Sequence, residues 1–322
     1  MKKILILTSV LLAFTTILNA QTLNDAGELF NTANEQIKAK TYGEAIKSLN
    51  DALNITNKLG EEGKDLGSRI EKTIPKIKEA HAKTLIGNKK VDEGLKYLLE
   101  AIDDAEKVND SKTVNSSKTL VANIYVSKAG AANGQKNWEE TIRYANLAIQ
   151  NNEATQKAYL MNALAYKELE NEDLLVESIN DAVKYGEAKN DTKTVNDAKL
   201  IGTNYFNNKA QELIQKNKFS DALSALDKSI AINNELELPW YLKISCLNKL
   251  NRADEAIEAG LAGLQLNSEN KEIVNGINLE LGRAYEAKAD NENACKYYKQ
   301  AATFDTFKEE ANYKITEVLK CN

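Results

Sequence analysis

The stretch Leu281–Asp305 limits what this chain can fold into more than any other, because it reads as two short helices that meet at small residues. Ile277, Leu281 and Tyr285 recur every four residues, which puts them on one helical face. Gly282 lies beside that stripe, and a glycine inside a helix costs about 1 kcal/mol against alanine. It is best explained by a neighbouring backbone that comes too close for a side chain. Asp290 or Asn291 can cap the next helix, where Ala294, Tyr298 and Ala301 share a face.

Leu281-Gly282, Tyr285, Ala294, Tyr298 and Ala301 together resemble the tetratricopeptide repeat. Thr306 stands where that family often carries a closing proline. The resemblance implies an all-α, right-handed superhelical solenoid of about seven helix-turn-helix units and a capping helix over 307–320. The second-helix signature, a small residue followed by an aliphatic one, recurs at Ala52, Ala101, Ala148, Ala182, Ser229, Gly263 and Ala301. Units then close near 57, 107, 153, 187, 234, 268 and 306, in one solenoid spanning 21–322.

The intervals between these marks are uneven. Ala148 to Ala182 and Ser229 to Gly263 are each 34 residues, the family's own period. Ala52 to Ala101 is 49, and both Ala101 to Ala148 and Ala182 to Ser229 are 47. Two of the inserts are related: NDSKTVNSSK from Asn109 and NDTKTVNDAK from Asn190 share seven of ten residues, 81 positions apart. A block of one long and one short unit has been duplicated. The inserts are rich in residues that cap helices and turns, so they are expected to be longer helices joined by a capped turn. Pro75 and Pro239 are expected in the first turn of a unit's first helix, where proline is tolerated.

Lys2 and Lys3, an apolar run from Ile4 to Phe14 and a small-residue exit at Asn19-Ala20 read as a secretory signal peptide over 1–20. The chain is therefore expected to be exported, to a bacterial periplasm or beyond the cell, with no membrane span after the signal is removed. Forty-two basic residues stand against 47 acidic ones, interspersed, which argues against nucleic acid as a partner. An exported chain can keep a disulfide. If the last two helices run antiparallel around Thr306, Cys295 and Cys321 come to the same end and can pair. Cys246 sits among Ile244, Leu247 and Leu250 as a small core residue.

Chemistry is sparse. His81 is the sole histidine, between Ile77 and Leu85, so a nucleophile triad has one base to use and that base reads as structural. No His/Cys cluster has metal-ligand spacing, and no cofactor motif is present. Gly60-Glu61-Glu62-Gly63-Lys64 lacks the spacing and the preceding strand of a phosphate loop and reads as a helix-to-helix turn. What remains is a surface. By analogy with the family, the inward positions that do not pack fall on Asn34, Lys83, Asn123, Lys157, Asn204, Asn207, Gln211, Tyr241, Asn248 and Arg283. Amides can bond both sides of an extended backbone, and the cations suit a carboxylate. The family's carboxylate-clamp residues are not matched in full. The expected function is a non-catalytic scaffold in the cell envelope that binds a peptide or protein. A glycan- or nutrient-binding component is the alternative.

Overall fold

The computed structural model describes residues 22–266 and 268–321. The signal-peptide reading of 1–20 lies outside them. The described residues are helical, with no strand among them. They form fifteen α-helices: α1 Leu23–Lys38, α2 Tyr42–Leu59, α3 Lys64–Gly87, α4 Val91–Lys107, α5 Ser111–Gly134, α6 Trp138–Asn151, α7 Gln156–Glu168, α8 Glu172–Ala188, α9 Thr192–Gln215, α10 Phe219–Ile232, α11 Glu237–Lys249, α12 Ala253–Gln265, α13 Lys271–Ala287, α14 Asn291–Ala301 and α15 Asp305–Tyr313. The described fold is all-α and built of consecutive helix pairs. No described helix is long and apolar enough to cross a membrane.

Starts and stops are set by local chemistry. Thr22 and Asp25 form a reciprocal capping box on α1. Asn137, Asn171, Asp191, Asn270 and Asp290 each accept a backbone N–H in the first turn of their helix. Inside every pair the chain reverses through one residue in the left-handed region: Lys40, Lys89, Lys136, Glu170, Asn217, Asn251 and Ala289, with φ from 55° to 65°. The residue after it bonds back across the turn, as Lys90 N–H does to Leu85 O at 2.9 Å and Asp290 N–H to Tyr285 O at 3.0 Å. Glycine occupies none of the seven.

The inserts are helix. α3, α5 and α9 have 24 residues each, where α7 and α11 have 13. The duplicated segments are the turns and first turns that begin α5 and α9. Asn109 and Asn190 share φ 56°, and Asp110 and Asp191 accept from Thr113 and Thr194 in the same way. Gly60–Gly63 is a 3-10 turn, and a Cβ on Gly63 would lie 2.2 Å from Thr56 O. Pro239 is in the first turn of α11, but Pro75 is not at a helix start. The insert before it is itself helical, so the proline falls in the middle of α3. The C-terminal segment also differs from a straight helix over 307–320: α15 begins at Asp305 and gives way to a π turn at Lys314–Val318.

The chain packs as two compact units, with the boundary after Ile124 within α5. The first has a core of Ile46, Leu49, Ile70, Ile74 and Ile77 with Ala33, Ala45 and Ala52. The second centres on Leu175, Ile179, Phe206, Leu226, Ile244, Leu247, Ile277 and Leu281. Ala52, Ala101, Ala148, Ala182, Ser229 and Ala301 are all fully buried. Gly263 takes the same place, where a Cβ would meet Trp240 Cβ at 3.1 Å. Tiny side chains at these sites let helices approach closely.

Candidate interaction surface

The terminal hairpin shows how a pair is locked. A Cβ on Gly282 would lie 2.6 Å from Cδ1 of Tyr298, so the ring of the second helix, and not a backbone, is what excludes a side chain there. Tyr298 is fully buried, with Ala294 and Ala301 on its own helix and Leu279 across from it. Its hydroxyl donates to Glu286 at 2.6 Å. Tyr285 stacks on Tyr297 with centroids 5.5 Å apart. These are the marks read from the sequence, assembled into one packed hairpin.

The marks that resemble the tetratricopeptide repeat thus fall on one helix pair, α13 and α14. By sequence, no family model and no curated protein matches the chain. Among solved structures the chain is similar to the TPR2AB domain of yeast Sti1, at 15% identity and TM-score 0.38, over 90% of this chain and 94% of that one. It is similar to the TPR domain of P58(IPK) at 14% identity and TM-score 0.34, over 92% and 98%. A tetratricopeptide repeat protein from Parabacteroides merdae gives 14% identity and TM-score 0.30, over 92% and 99%.

A cleft of about 470 Å³ lies between α7 and α9. Lys167 and Glu170 form one wall; Leu200, Ile201, Asn204, Tyr205, Asn208, Lys209 and Glu212 form the other. Leu200, Asn204, Asn208 and Glu212 recur at intervals of four and make one stripe along α9. Leu200 is 56% exposed, the highest value among the exposed aliphatic side chains of the described residues. The Asn204 and Asn208 amides have no partner among the described residues. Lys209 is held by Glu172, which also binds Lys228 at 2.6 Å. Burial raises the Tyr205 phenol above its ordinary value, and the Glu172 charge adds to this. The cleft therefore offers an apolar step, open amides and a neutral phenol.

Of the ten positions expected to face a partner, Asn204 lines this cleft, and Gln211 is exposed on the same helix. Asn207 is a correction: it is buried, 6% exposed, with its Oδ1 unpartnered, because it falls on the core side of α9 beside Phe206. Asn248 and Arg283 are brought together, but by an internal acid. Glu280 is 3% exposed and accepts from Asn248 Nδ2 at 2.7 Å and from Arg283 Nη1 at 2.6 Å. Glu310 of α15 takes Arg283 Nη2 at 2.5 Å. Arg283 is thus already neutralised, and so is Lys83, bound to Glu79 at 2.6 Å. Tyr241 is half-buried, with its ring against Gly276. Asn34 is half-buried in α1, and Asn123 and Lys157 are exposed on α5 and α7.

Sequence reasoning missed Leu200, Ile201, Tyr205, Asn208 and Lys209. Their signal was the four-residue stripe, which is visible only once the insert and the repeat helix after it are joined into a single helix.

His81 is placed for packing. Its ring meets Tyr97 edge-on at 4.6 Å, its Nδ1 is buried without a partner, and burial pushes the imidazole below its ordinary value. Cys246 is 1% exposed, and burial pushes its thiol up to about 11. Among the described residues no group of His, Cys, Asp or Glu is placed to hold a metal ion. Cys295 and Cys321 form a disulfide with their Cα atoms 5.8 Å apart.

Proposed function

We propose that this chain is a non-catalytic interaction scaffold of the bacterial cell envelope, which holds an extended peptide or a segment of a protein on its first-helix surface. The cleft between α7 and α9 carries the reading. Its exposed Leu200 would receive an apolar side chain, while Asn204 and Asn208 would bond a backbone running past. Export is supported by the basic start and apolar run of 1–20, and the Cys295–Cys321 pair suits an oxidising compartment. No catalytic step is assigned to any residue.

An affinity capture from the native envelope, with the chain as bait, tests this. A partner retained by the wild type and lost from both Leu200→Glu and the double variant Asn204→Ala/Asn208→Ala supports the cleft. Retention by both variants counts against it. Saturable binding of a cell-wall oligosaccharide, with no protein retained, would replace the scaffold reading with the glycan-binding one.

A further inference from the structure

The C-terminal segment engages two of the positions expected to face a partner, Tyr241 and Arg283. Arg283 donates from Nε at 3.1 Å and from Nη2 at 2.5 Å to one oxygen of Glu310 on α15. Its third nitrogen, Nη1, reaches the buried Glu280 at 2.6 Å, and Glu280 also takes the Asn248 amide at 2.7 Å. Phe307 of α15 and Tyr241 meet at Gly276, where a Cβ would lie 2.8 Å from Cε2 of Tyr241 and 3.2 Å from Cζ of Phe307. Burial, then the Glu280 charge, raises the Tyr241 phenol above its ordinary value, and the Glu310 charge adds to this. Phe307 and Glu310 stand three residues apart on one helix, so their side chains share a face. α15 thus brings a ring and an acid to Tyr241 and Arg283 together.

The hold on α15 is slight apart from one covalent bond. The helix has nine residues, too few to be stable alone, and Ala311 is the only buried residue from Asp305 to Val318. Its ion pairs, Glu310 on Arg283 and Lys314 on Glu286, are partly exposed, and such pairs hold weakly in water. The Cys295–Cys321 disulfide is what fastens the segment, and neither cysteine is buried. Arg283 does not depend on α15 for its position. Glu280, 3% exposed, keeps Nη1, and Asn248 keeps Glu280. If α15 leaves, Nε and Nη2 are left without their acceptor while the guanidinium stays in place.

We propose that α15 is an internal ligand latched by the disulfide, and that reduction opens its seat to a peptide of the same chemistry, a helical segment with an acid three residues after an aromatic. The opening step is thiol–disulfide exchange with a dithiol reductant. One thiolate of the reductant attacks a sulfur of the Cys295–Cys321 bond, forming a mixed disulfide while the other cysteine leaves as a thiolate. The reductant's second thiolate then displaces the remaining cysteine. The chain ends with two thiols and the reductant as a disulfide. The incoming acid takes Arg283 Nε and Nη2 in place of Glu310, and the incoming ring takes the place of Phe307 beside Tyr241. A basic or purely apolar segment leaves those two donors unmet. This seat shares no lining residue with the cleft between α7 and α9 and does not depend on it.

The probe is a fluorescein-labelled peptide copying Phe304–Val318, followed by anisotropy. It is titrated with the oxidised chain, with the chain reduced by dithiothreitol, and with a Cys295→Ser/Cys321→Ser variant that is open without reductant. Saturable binding is expected for both unlatched forms, roughly tenfold or more tighter than for the oxidised chain, because the disulfide keeps the internal segment seated. A Glu310→Gln peptide, which leaves the protein untouched, is expected to bind about tenfold more weakly through loss of the charge-assisted contact. Arg283→Gln in the unlatched chain is expected to cause a similar loss. The proposal is overturned by equal binding to oxidised and unlatched chains, by no saturable binding to either unlatched form, or by equal affinity of the Glu310→Gln peptide. An unlatched chain that dimerises and leaves the peptide free overturns it in favour of a second copy as the occupant.

Discussion

A single methyl group has opposite meaning at two places in the last hairpin. At Gly282 there is no room for one, since the Tyr298 ring stands 2.6 Å from where it would be. Gly282→Ala is expected to destabilise the chain by roughly 1–3 kcal/mol, because a buried ring in a packed core cannot shift freely. At Ala289 the methyl is present in a left-handed turn, φ 59°, where a non-glycine residue is strained. Ala289→Gly is expected to stabilise by about 0.5–1 kcal/mol, the relieved strain exceeding the added freedom of the unfolded chain. Urea denaturation of the two variants decides both signs. The same test extends to overpacking at the helix crossings: Ala148→Leu and Ala182→Leu should each lower stability by roughly 1–3 kcal/mol, both sites being fully buried. An unchanged midpoint would mean that the crossings tolerate a larger residue.

At the scale of the element, the duplicated inserts act as helix starts. Asp191 accepts from Thr194 N–H at 3.2 Å, from Thr194 Oγ1 at 2.7 Å and from Gln156 Nε2 at 2.9 Å. The Gln156 bond, then those from Thr194, hold its carboxyl at about 2, below its ordinary 3.8. A carboxyl depressed in the fold contributes stability above its unfolded value, and that contribution is lost as pH falls from about 4 toward about 2. Asp191→Asn keeps a capping oxygen but does not titrate, so its stability is expected to depend less on pH than wild type across that window. Asp191→Ala loses the cap itself and is expected to lower stability by about 1 kcal/mol at neutral pH. Parallel pH profiles for wild type and Asp191→Asn would refute the assignment.

The helix pairs were legible because tiny buried residues recur at countable intervals, and the capped inserts because Asn-Asp-x-Lys-Thr-Val occurs twice. The reversals within pairs were not, because residues as ordinary as Lys40, Glu170 and Ala289 take a conformation that sequence normally announces with glycine. Pro75 was misplaced for a related reason. Its position relative to the repeat is regular, and only the helical insert ahead of it makes it internal. The cation side chains at Lys83 and Arg283 fall on the expected helices, and Glu79 and Glu280, which engage them, stand four and three residues earlier on those same helices, a spacing the sequence shows; only Glu310, brought by α15, is not revealed by spacing along one helix.

At the scale of the whole molecule, the decisive property is that within each unit a helix pair leans on its immediate neighbours, so disturbance should remain local. The C-terminus gives the cleanest trial. α15 is tied to the preceding hairpin by the Cys295–Cys321 disulfide, by Arg283 on Glu310 at 2.5 Å and by Lys314 on Glu286 at 2.8 Å. Ala311, on the inner face of α15, is fully buried. Closing a loop between residues 26 positions apart stabilises by about 3 kcal/mol through the unfolded ensemble. Reduction removes that contribution but leaves the ion pairs and the apolar contact. The terminal segment is therefore expected to loosen without the array coming apart. Hydrogen exchange with and without reductant should show faster exchange across 305–321, with little change across 22–124. Acceleration throughout the chain would mean that the pairs are coupled far beyond their neighbours, and identical exchange at the terminus would mean that the two sulfurs are not bonded in solution.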